Sequence, residues 1–112
     1  MTRGDIVLVD FPFTDLSQTK LRPALIVWVS LNGEDVVVCA ITSQNLKTLE
    51  PEDFLIDTTD PEFAETGLRV ASKVRVTRVA TLRRSLLLKK LGKLGTEQRK
   101  GLNTKLVQAF QI

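Results

Sequence analysis

The segment Lys20-Leu21-Arg22-Pro23-Ala24-Leu25-Ile26-Val27 joins a cation directly to a buried strand. Arg22 is the last polar residue before a continuous apolar run that extends from residue 24 to residue 29. Pro23 fixes its own φ and biases Arg22 toward an extended backbone. A guanidinium held in this way at the mouth of a strand is a preformed fork for a phosphate, although a solvated strand-end arginine has the same local pattern. Arg22 is therefore a candidate anion-binding residue.

Apolar runs on both sides of this segment predict a chain made mostly of strands. Residues 4–11 form an opening strand, and the Asn32-Gly33 turn returns the chain through residues 36–42 as a hairpin. A polar loop over 43–53 leads to shorter or alternating apolar runs at 54–57, 68–81 and 86–94. The pattern predicts one domain over residues 1–112, mainly β with a C-terminal helix, as a small twisted sheet or partly open barrel.

Two segments are predicted to be helical. Residues 61–65 form one helical turn with Asp60 as the N-cap residue. Thr96 caps a final helix, whose apolar stripe is predicted at four positions: Leu102, Leu106, Val107 and Phe110.

The hairpin brings hydroxyl groups to the same end of the sheet as Arg22. If Asn32-Gly33 is the two-residue turn, Arg22 lies opposite Ser43, and Thr42 lies opposite Pro23. A slip of one residue would change which side chains share a face. A fixed cation beside two hydroxyls suits RNA cleavage through the 2′-hydroxyl, because the phosphorane needs positive charge and donors placed in advance. Strand-end hydroxyls that only satisfy backbone groups remain the alternative interpretation of Thr42 and Ser43.

Composition excludes several kinds of active site. The chain has no histidine, so it has no imidazole acid or base. Its single cysteine, Cys39, lies in an apolar run and cannot form an internal disulfide, which fits a reducing compartment and a cytoplasmic location. No zinc ligand set and no glycine-rich phosphate loop is present. An enzyme of this composition is predicted to work without a metal or organic cofactor.

Charge is distributed unevenly along the chain. Residues 1–67 carry 4 Lys or Arg and 12 Asp or Glu, whereas residues 68–112 carry 12 and 1, for net charges of −8 and +11. Lys73 and Arg75 lie on one face of the alternating 68–81 segment. Such a basic region can bind RNA or an acidic partner, or the two halves can neutralise each other within one fold. No signal peptide and no apolar stretch near 18 residues is present, so no membrane span is predicted.

Four sequence features together resemble the MazF/PemK family of bacterial toxins. They are the Gly4-Asp5 opening strand, the segment from Arg22 through Pro23 to Val27, the Ile41-Thr42-Ser43 strand end, and Gly67-Leu68 followed by Ser72. The resemblance covers almost the whole chain, including the terminal helix. It implies an SH3-like barrel that forms a homodimer. It also implies a metal-independent endoribonuclease that cuts single-stranded RNA to leave a 2′,3′-cyclic phosphate and a 5′-hydroxyl.

The resemblance also implies specific site residues and a partner. The family's catalytic arginine matches Arg22 and its catalytic threonine matches Thr42, with Ser43 as the adjacent hydroxyl. Ser72 matches a serine with a structural or RNA-contacting role. The implied partner is a cognate antitoxin whose acidic, disordered tail blocks the RNA groove. Candidate contacts to flanking RNA are Gln18, Lys20, Ser72, Lys73 and Arg75.

The sequence departs from the family pattern at two places. The loop before Arg22 has no glycine, and only Gln18 matches the acidic or amide residue common there. Ala40 stands where a proline often precedes the Ile-Thr pair. Two alternative functions therefore stay open. One is a gyrase-binding toxin like the CcdB proteins, which act through an aromatic near the end of the C-terminal helix, where this chain has Phe110. The other is a non-catalytic RNA-binding barrel.

Overall fold

The computed structural model of the protein describes residues 1–11 and 20–112. Its elements alternate short strands with turns and end in one helix, as the apolar runs predict. The strands are β1 (Asp5–Phe11), β2 (Lys20–Val29), β3 (Asp35–Thr42), β4 (Asp53–Ile56), β5 (Ser72–Arg83) and β6 (Leu87–Lys93). A first 3₁₀ turn (Phe63–Thr66) and a second (Arg84–Leu86) flank β5, and the helix α1 (Thr96–Ala109) follows β6. The β5 strand begins four residues later than the alternation predicts.

All six strands join one antiparallel sheet in the order β4-β5-β3-β2-β1-β6. The mainly β architecture with a C-terminal helix is therefore confirmed. Within the described residues β4 and β6 are the two edges and do not pair with each other, so the SH3-like barrel is partly open. No helix in the described part of the chain is long and apolar enough to cross a bilayer.

Apolar residues are buried on both faces of the sheet. One face packs against α1 and the first 3₁₀ turn, and its core includes Ile6, Leu25, Cys39, Val74 and Leu102. The opposite face is enclosed by the curl of the sheet itself, since residues from β1, β2, β3, β5 and β6 meet there: Val7, Val9, Ala24, Ile26, Val36, Val38, Leu82 and Leu87.

The first 3₁₀ turn closes against β6 through two glycines. A Cβ atom on Gly92 would overlap the carbonyl oxygen of Glu65, and one on Gly67 would overlap the carbonyl oxygen of Leu91. Gly67 also ends the turn with a φ of 72°, which disfavours side chains other than glycine. This seam brings the segment after β4 against the other edge strand of the sheet.

A one-residue bulge in the central hairpin corrects the predicted register. Near the turn Val29 pairs with Val36, the register that an Asn32-Gly33 turn predicts. The predicted two-residue turn is wrong, however, because the N–H of Gly33 donates to the carbonyl oxygen of Ser30 at 2.9 Å, which makes Leu31 and Asn32 the central residues. The register shifts between Ile26 and Trp28, and beyond that shift Ala24 pairs with Ala40. Extended by two residues, this register places Arg22 level with Thr42. The predicted alignment of Arg22 with Ser43, and of Thr42 with Pro23, is therefore wrong because a bulge adds a residue to one strand only.

The start of the helix differs from the prediction by one residue. Gly95 is the N-cap, and Thr96 is the first helical residue. The helix N-terminus is capped from a distance, since the carboxylate of Glu62 accepts hydrogen bonds from the N–H groups of Glu97 (3.2 Å) and Gln98 (2.8 Å). A carboxylate at this end is favoured by the helix dipole.

The other helical predictions are confirmed only in part. Leu102 is buried and Leu106 packs against the same core, but Val107 and Phe110 are exposed. Helical turn 61–65 is present as Phe63–Thr66, with Glu62 rather than Asp60 as its N-cap residue. Asp60 instead accepts the N–H of Glu62 at 2.8 Å, one step before the turn.

Candidate active site and RNA groove

Two adjoining grooves lie where β2 and β3 end. The first has a volume of about 560 Å³ and lies between these strand ends and residues 68–72. The second has a volume of about 710 Å³ and lies over the adjacent part of β5. The two grooves share four of their lining residues: Arg22, Ile41, Thr42 and Gln44. Arg22 and Thr42 thus lie at the junction, within reach of anything that spans the two grooves.

Arg22 is held by the strand around it. It is half-buried. Its backbone pairs with Val9 of β1, and the neighbouring Pro23 lies opposite Leu8. Its Nε atom is buried and has no hydrogen-bond partner within residues 1–11 and 20–112. A guanidinium whose donors are not used by these residues can direct them to a bound phosphate.

Thr42 is the last residue of β3 and lies on the same face as Arg22. Side chains alternate along a strand, so Thr42, Ala40 and Val38 share a face, and Arg22, Ala24 and Ile26 share the matching one. The Thr42 hydroxyl oxygen accepts the N–H of Gln44 at 3.2 Å. That bond fixes the position of the oxygen and leaves the hydroxyl proton to donate to a ligand.

The two serines occupy different environments. Ser43 is exposed beyond the end of β3 and lines only the first groove. Ser72 also lines the first groove, but it is buried and its hydroxyl donates to the carbonyl oxygen of Val70 at 3.0 Å. This contact favours the structural side of the role predicted for Ser72. Ser43 keeps a hydroxyl that faces the groove edge.

Lys73 and Arg75 both line the second groove but differ in their partners. Lys73 is buried, and its ammonium lies 3.5 Å from Oδ2 of the buried Asp53. Arg75 is one-third exposed, and its Nε lies 3.9 Å from Oδ1 of the same carboxylate. The Arg75 Nε is buried without a hydrogen-bond partner in the described part of the protein. Arg75 is therefore the better placed of the two for an RNA phosphate.

Two predicted RNA contacts are not placed by the structure. Gln18 lies outside the described residues. The backbone of Lys20 pairs with Phe11 at the start of β2, but its side chain is outside the described part. Both assignments remain predictions.

Several groove residues lie outside the set of site residues that the sequence predicted. Thr77 and Arg78 line the second groove at an irregularity in β5, where the pairing with β3 jumps from Val79 to Arg75. Gln44 and Asn45 follow β3, and Asn45 has a φ of 54°, a left-handed conformation that asparagine tolerates. Arg78 could have been predicted as a groove residue, because it is a basic residue at a position where the alternation of β5 otherwise has apolar residues.

Charge in the two grooves is of one sign. The lining residues that the structure describes include no carboxylate and five cationic side chains: Arg22, Arg69, Lys73, Arg75 and Arg78. Within 1–11 and 20–112 no three His, Cys, Asp or Glu side chains are grouped to hold a metal ion. A one-sign groove of this kind attracts a polyanion.

The fold is similar to that of several solved structures. The chain is similar to an endoribonuclease in complex with its cognate antitoxin from a Mycobacterial species, with 21% identity over 100% of this chain and 96% of that chain and a TM-score of 0.75. It is also similar to Mycobacterium tuberculosis toxin MazF-mt6 (22% identity, 96% and 97% covered, TM-score 0.75) and to MazF from Deinococcus radiodurans (19%, 100% and 97%, 0.73). At these identities the likeness establishes the fold.

A family pattern identifies the chain more specifically. No curated protein sequence matches it significantly. The pattern of the PemK-like, MazF-like toxin of type II toxin–antitoxin systems, however, matches residues 2–110. This match includes every groove residue described above. The chain therefore belongs to the PemK/MazF family of type II toxins.

Proposed function

We propose that this toxin is an endoribonuclease that cleaves single-stranded RNA through the 2′-hydroxyl, without a metal ion, at short recurring sequences. The products are a 2′,3′-cyclic phosphate and a 5′-hydroxyl. Arg22 and Thr42 act on the scissile phosphate, Ser43 contacts it at the first groove, and Arg75 holds a flanking phosphate. Family membership and the endoribonuclease relatives of the same fold support this assignment.

The observation that carries the proposal is the position of Arg22 beside Thr42. They lie on one face of neighbouring strands at the junction of two cationic grooves. An RNA strand that runs from one groove to the other passes its backbone over this junction. The junction presents one guanidinium and one hydroxyl. These groups are suited to stabilise the negative charge of a phosphorane rather than to recognise the edge of a base.

The proposed chemistry is an in-line transfer. The 2′-oxygen forms a bond to phosphorus as its proton passes to solvent water, and the bond from phosphorus to the 5′-oxygen breaks as that oxygen takes a proton from solvent, so that no net proton is gained or lost. Arg22 donates to a nonbridging oxygen and to the leaving 5′-oxygen, where negative charge develops. Thr42 donates its hydroxyl proton to the other nonbridging oxygen, while Gln44 holds its oxygen in place. These groups stabilise the transition state more than the substrate, which is the condition for faster chemistry.

The same groove supplies the proposed site for the antitoxin. An acidic, disordered tail is complementary to two grooves whose described lining has four arginines besides the buried Lys73 and no carboxylate. Two relatives of the same fold were solved with their antitoxins, an endoribonuclease from a Mycobacterial species and MazF with MazE from Deinococcus radiodurans.

We also propose a homodimer, because Trp28 and Leu88 expose 41% and 53% of their surface. A monomeric mass by light scattering at micromolar concentration would contradict the dimer.

The test is cleavage of a long single-stranded RNA in excess EDTA, with wild type beside Arg22→Ala and Arg83→Ala. Arg83 is an exposed arginine of β5 that lines neither groove, so its variant controls for lost charge. We expect wild type and Arg83→Ala to cut at the same short sequences and leave 5′-hydroxyl ends. Arg22→Ala should be at least about 10²-fold slower, as for a lost oxyanion donor.

The contrary outcomes are specific. Full cleavage by a folded Arg22→Ala protein would remove Arg22 from the mechanism. Cleavage that EDTA abolishes would contradict the metal-free reaction. No cleavage by folded, antitoxin-free wild type would refute the endoribonuclease proposal, and inhibition of gyrase supercoiling by the same sample would then identify a gyrase-binding toxin. Circular dichroism of each variant establishes that it is folded.

A further inference from the structure

The loop between β3 and β4, residues 43–52, forms one wall of both grooves. It carries Gln44, which lines both, and Asn45, which lines the second. The loop leaves β3 directly after Thr42 and is mostly exposed. An exposed loop keeps a defined position only if contacts to the rest of the fold hold it, since such loops are otherwise the least stable part of a protein.

Two ammonium groups hold the loop: Lys105 of α1 donates to the carbonyl oxygen of Pro51 near its end at 2.7 Å, and the buried Lys73 of β5 holds its middle. The Nζ of Lys73 donates to the carbonyl oxygen of Asn45 at 3.0 Å and to that of Thr48 at 3.1 Å. These carbonyls lie 28 and 25 residues away in sequence, on either side of the loop bend. The third partner is the carboxylate of Asp53, at 3.5 Å, where the loop ends and β4 begins. One ammonium thus ties the middle and the end of the loop to β5.

The environment of Lys73 makes it a poor phosphate ligand. Only 4% of the residue is exposed, and its three donors have three partners. Release of the ammonium toward RNA would leave the buried Asp53 carboxylate with the N–H of Glu50, at 2.9 Å from Oδ2, and with Arg75 as its one remaining cationic partner among the described residues. Breaking a buried ion pair is strongly unfavourable because the remaining charge is uncompensated.

We propose that Lys73 is a positioning residue, which holds the 43–52 loop so that Thr42 and Gln44 keep their geometry at the scissile phosphate. Its backbone pairs with that of Thr42, so the loop anchor and the reacting hydroxyl are level on adjacent strands. The catalytic part of this inference rests on the proposed endoribonuclease function. The loop-anchoring part does not, because it follows from contacts within the protein.

The anchoring part is tested by limited trypsin digestion, read by mass spectrometry as cleavage after Lys47 in the loop. Lys73→Met removes the ammonium, Lys73→Gln keeps an uncharged donor, and Lys89→Met removes an exposed lysine of β6, which lines neither groove. We expect cleavage after Lys47 to be about tenfold faster in Lys73→Met than in wild type, since proteolysis follows local opening. Lys73→Gln should lie between them, and Lys89→Met should match wild type.

The catalytic part is tested with the same variants on RNA. A displaced loop should lower kcat by about 10- to 10²-fold while KM changes by less than about twofold, because misplaced groups affect the reacting geometry. The salt dependence of RNA binding should be unchanged. A lost phosphate contact would instead raise KM and reduce the slope of log K against log salt by about 0.7, with Lys73→Gln no better than Lys73→Met.

Each outcome decides a separate point. Equal trypsin sensitivity of wild type and both Lys73 variants overturns the anchor, whatever happens with RNA. Faster digestion with unchanged kcat overturns the positioning role and keeps the anchor. A reduced salt slope identifies Lys73 as a phosphate ligand and overturns the proposal. If wild type cuts no RNA, the endoribonuclease proposal fails while the trypsin result still stands. Should Lys73→Met not fold, Lys73→Gln carries both measurements.

Discussion

Arg22 and Thr42 share a face of the sheet because a bulge near Val27 shifts the hairpin register by one residue. Without the shift, Arg22 would lie level with Ser43, and Thr42 would present its hydroxyl to the opposite face. Bulges are common beside active sites, where they redirect a side chain. Here one extra residue in β2, five positions from Arg22, decides which hydroxyl accompanies the guanidinium.

Because Thr42 shares a face with Arg22, we expect RNA cleavage to depend more on the hydroxyl of Thr42 than on that of Ser43. Thr42→Val keeps the shape but removes both the proton donor and the acceptor of the Gln44 N–H. We expect Thr42→Val to reduce RNA cleavage by about 10- to 10²-fold and Thr42→Ser to retain most activity, because serine restores the hydroxyl. Ser43→Ala should reduce cleavage by less than about fivefold. Single-turnover cleavage rates decide this, and a larger loss for Ser43→Ala than for Thr42→Val would reverse the assignment.

Much of the fold follows from local sequence signals. Asn32-Gly33 predicts the hairpin, and the apolar runs predict the strands, because both depend on residues close in the chain. The bulge near Val27 carries no such signal, since β2 reads as an unbroken apolar run there. The cap of α1 was missed for a similar reason. It comes from Glu62, more than 30 residues away, and not from the adjacent Thr96.

The candidate site was predictable in kind but not in detail. Arg22 was marked by its place before Pro23, a local feature. The different fates of Lys73 and Arg75 were not, because both alternate with apolar residues on the same strand. What separates them is Asp53 on β4, which comes beside both only when the sheet forms. Long-range pairing therefore decides which cation is available.

Arg75 is predicted to contact a flanking RNA phosphate. Its side chain is one-third exposed and lines the second groove, although its Nε is buried 3.9 Å from Oδ1 of Asp53. We expect Arg75→Gln to weaken RNA binding and to reduce the slope of log K against log salt by about 0.7, the value for one phosphate of a single strand. Arg83→Gln, on the same strand outside both grooves, should leave the slope unchanged. Fluorescence anisotropy with labelled RNA measures both, and equal slopes for all three proteins would exclude the contact.

Cys39 is predicted to be unreactive in the folded protein. It is fully buried, its thiol donates to the carbonyl oxygen of Val76, and burial raises its pKa from 9.0 to about 11. At pH 8 the native thiol should react with Ellman's reagent at least about 10²-fold more slowly than in urea. Ionisation favours the unfolded chain, so the stability from a protonated Cys39 is present below pH 9 and is lost between pH 9 and 11. Ser85→Cys supplies an exposed comparison thiol, and equal rates for the two thiols would contradict the burial.

The seam between the first 3₁₀ turn and β6 is predicted to be essential for stability. Gly92→Ala would place a methyl group against the carbonyl oxygen of Glu65, and backbone atoms cannot move aside as a flexible side chain can. We expect the free energy of unfolding to fall by about 1–3 kcal/mol, as for overpacking elsewhere, measured by urea denaturation. Lys93→Ala, an exposed change on the same strand, should alter it by less than about 0.5 kcal/mol.

A second change at the seam shows whether the two sides act together. In Gly67→Ala the new methyl group would overlap the carbonyl oxygen of Leu91, and alanine is also disfavoured at a φ of 72°. Because both glycines lie at one contact, the double variant should lose less stability than the two single changes added together. Once the first methyl group has parted the turn from β6, the second has room. Full additivity would mean that the turn and the strand are fastened independently, and an unchanged urea midpoint for Gly92→Ala would mean that the seam does not close in solution.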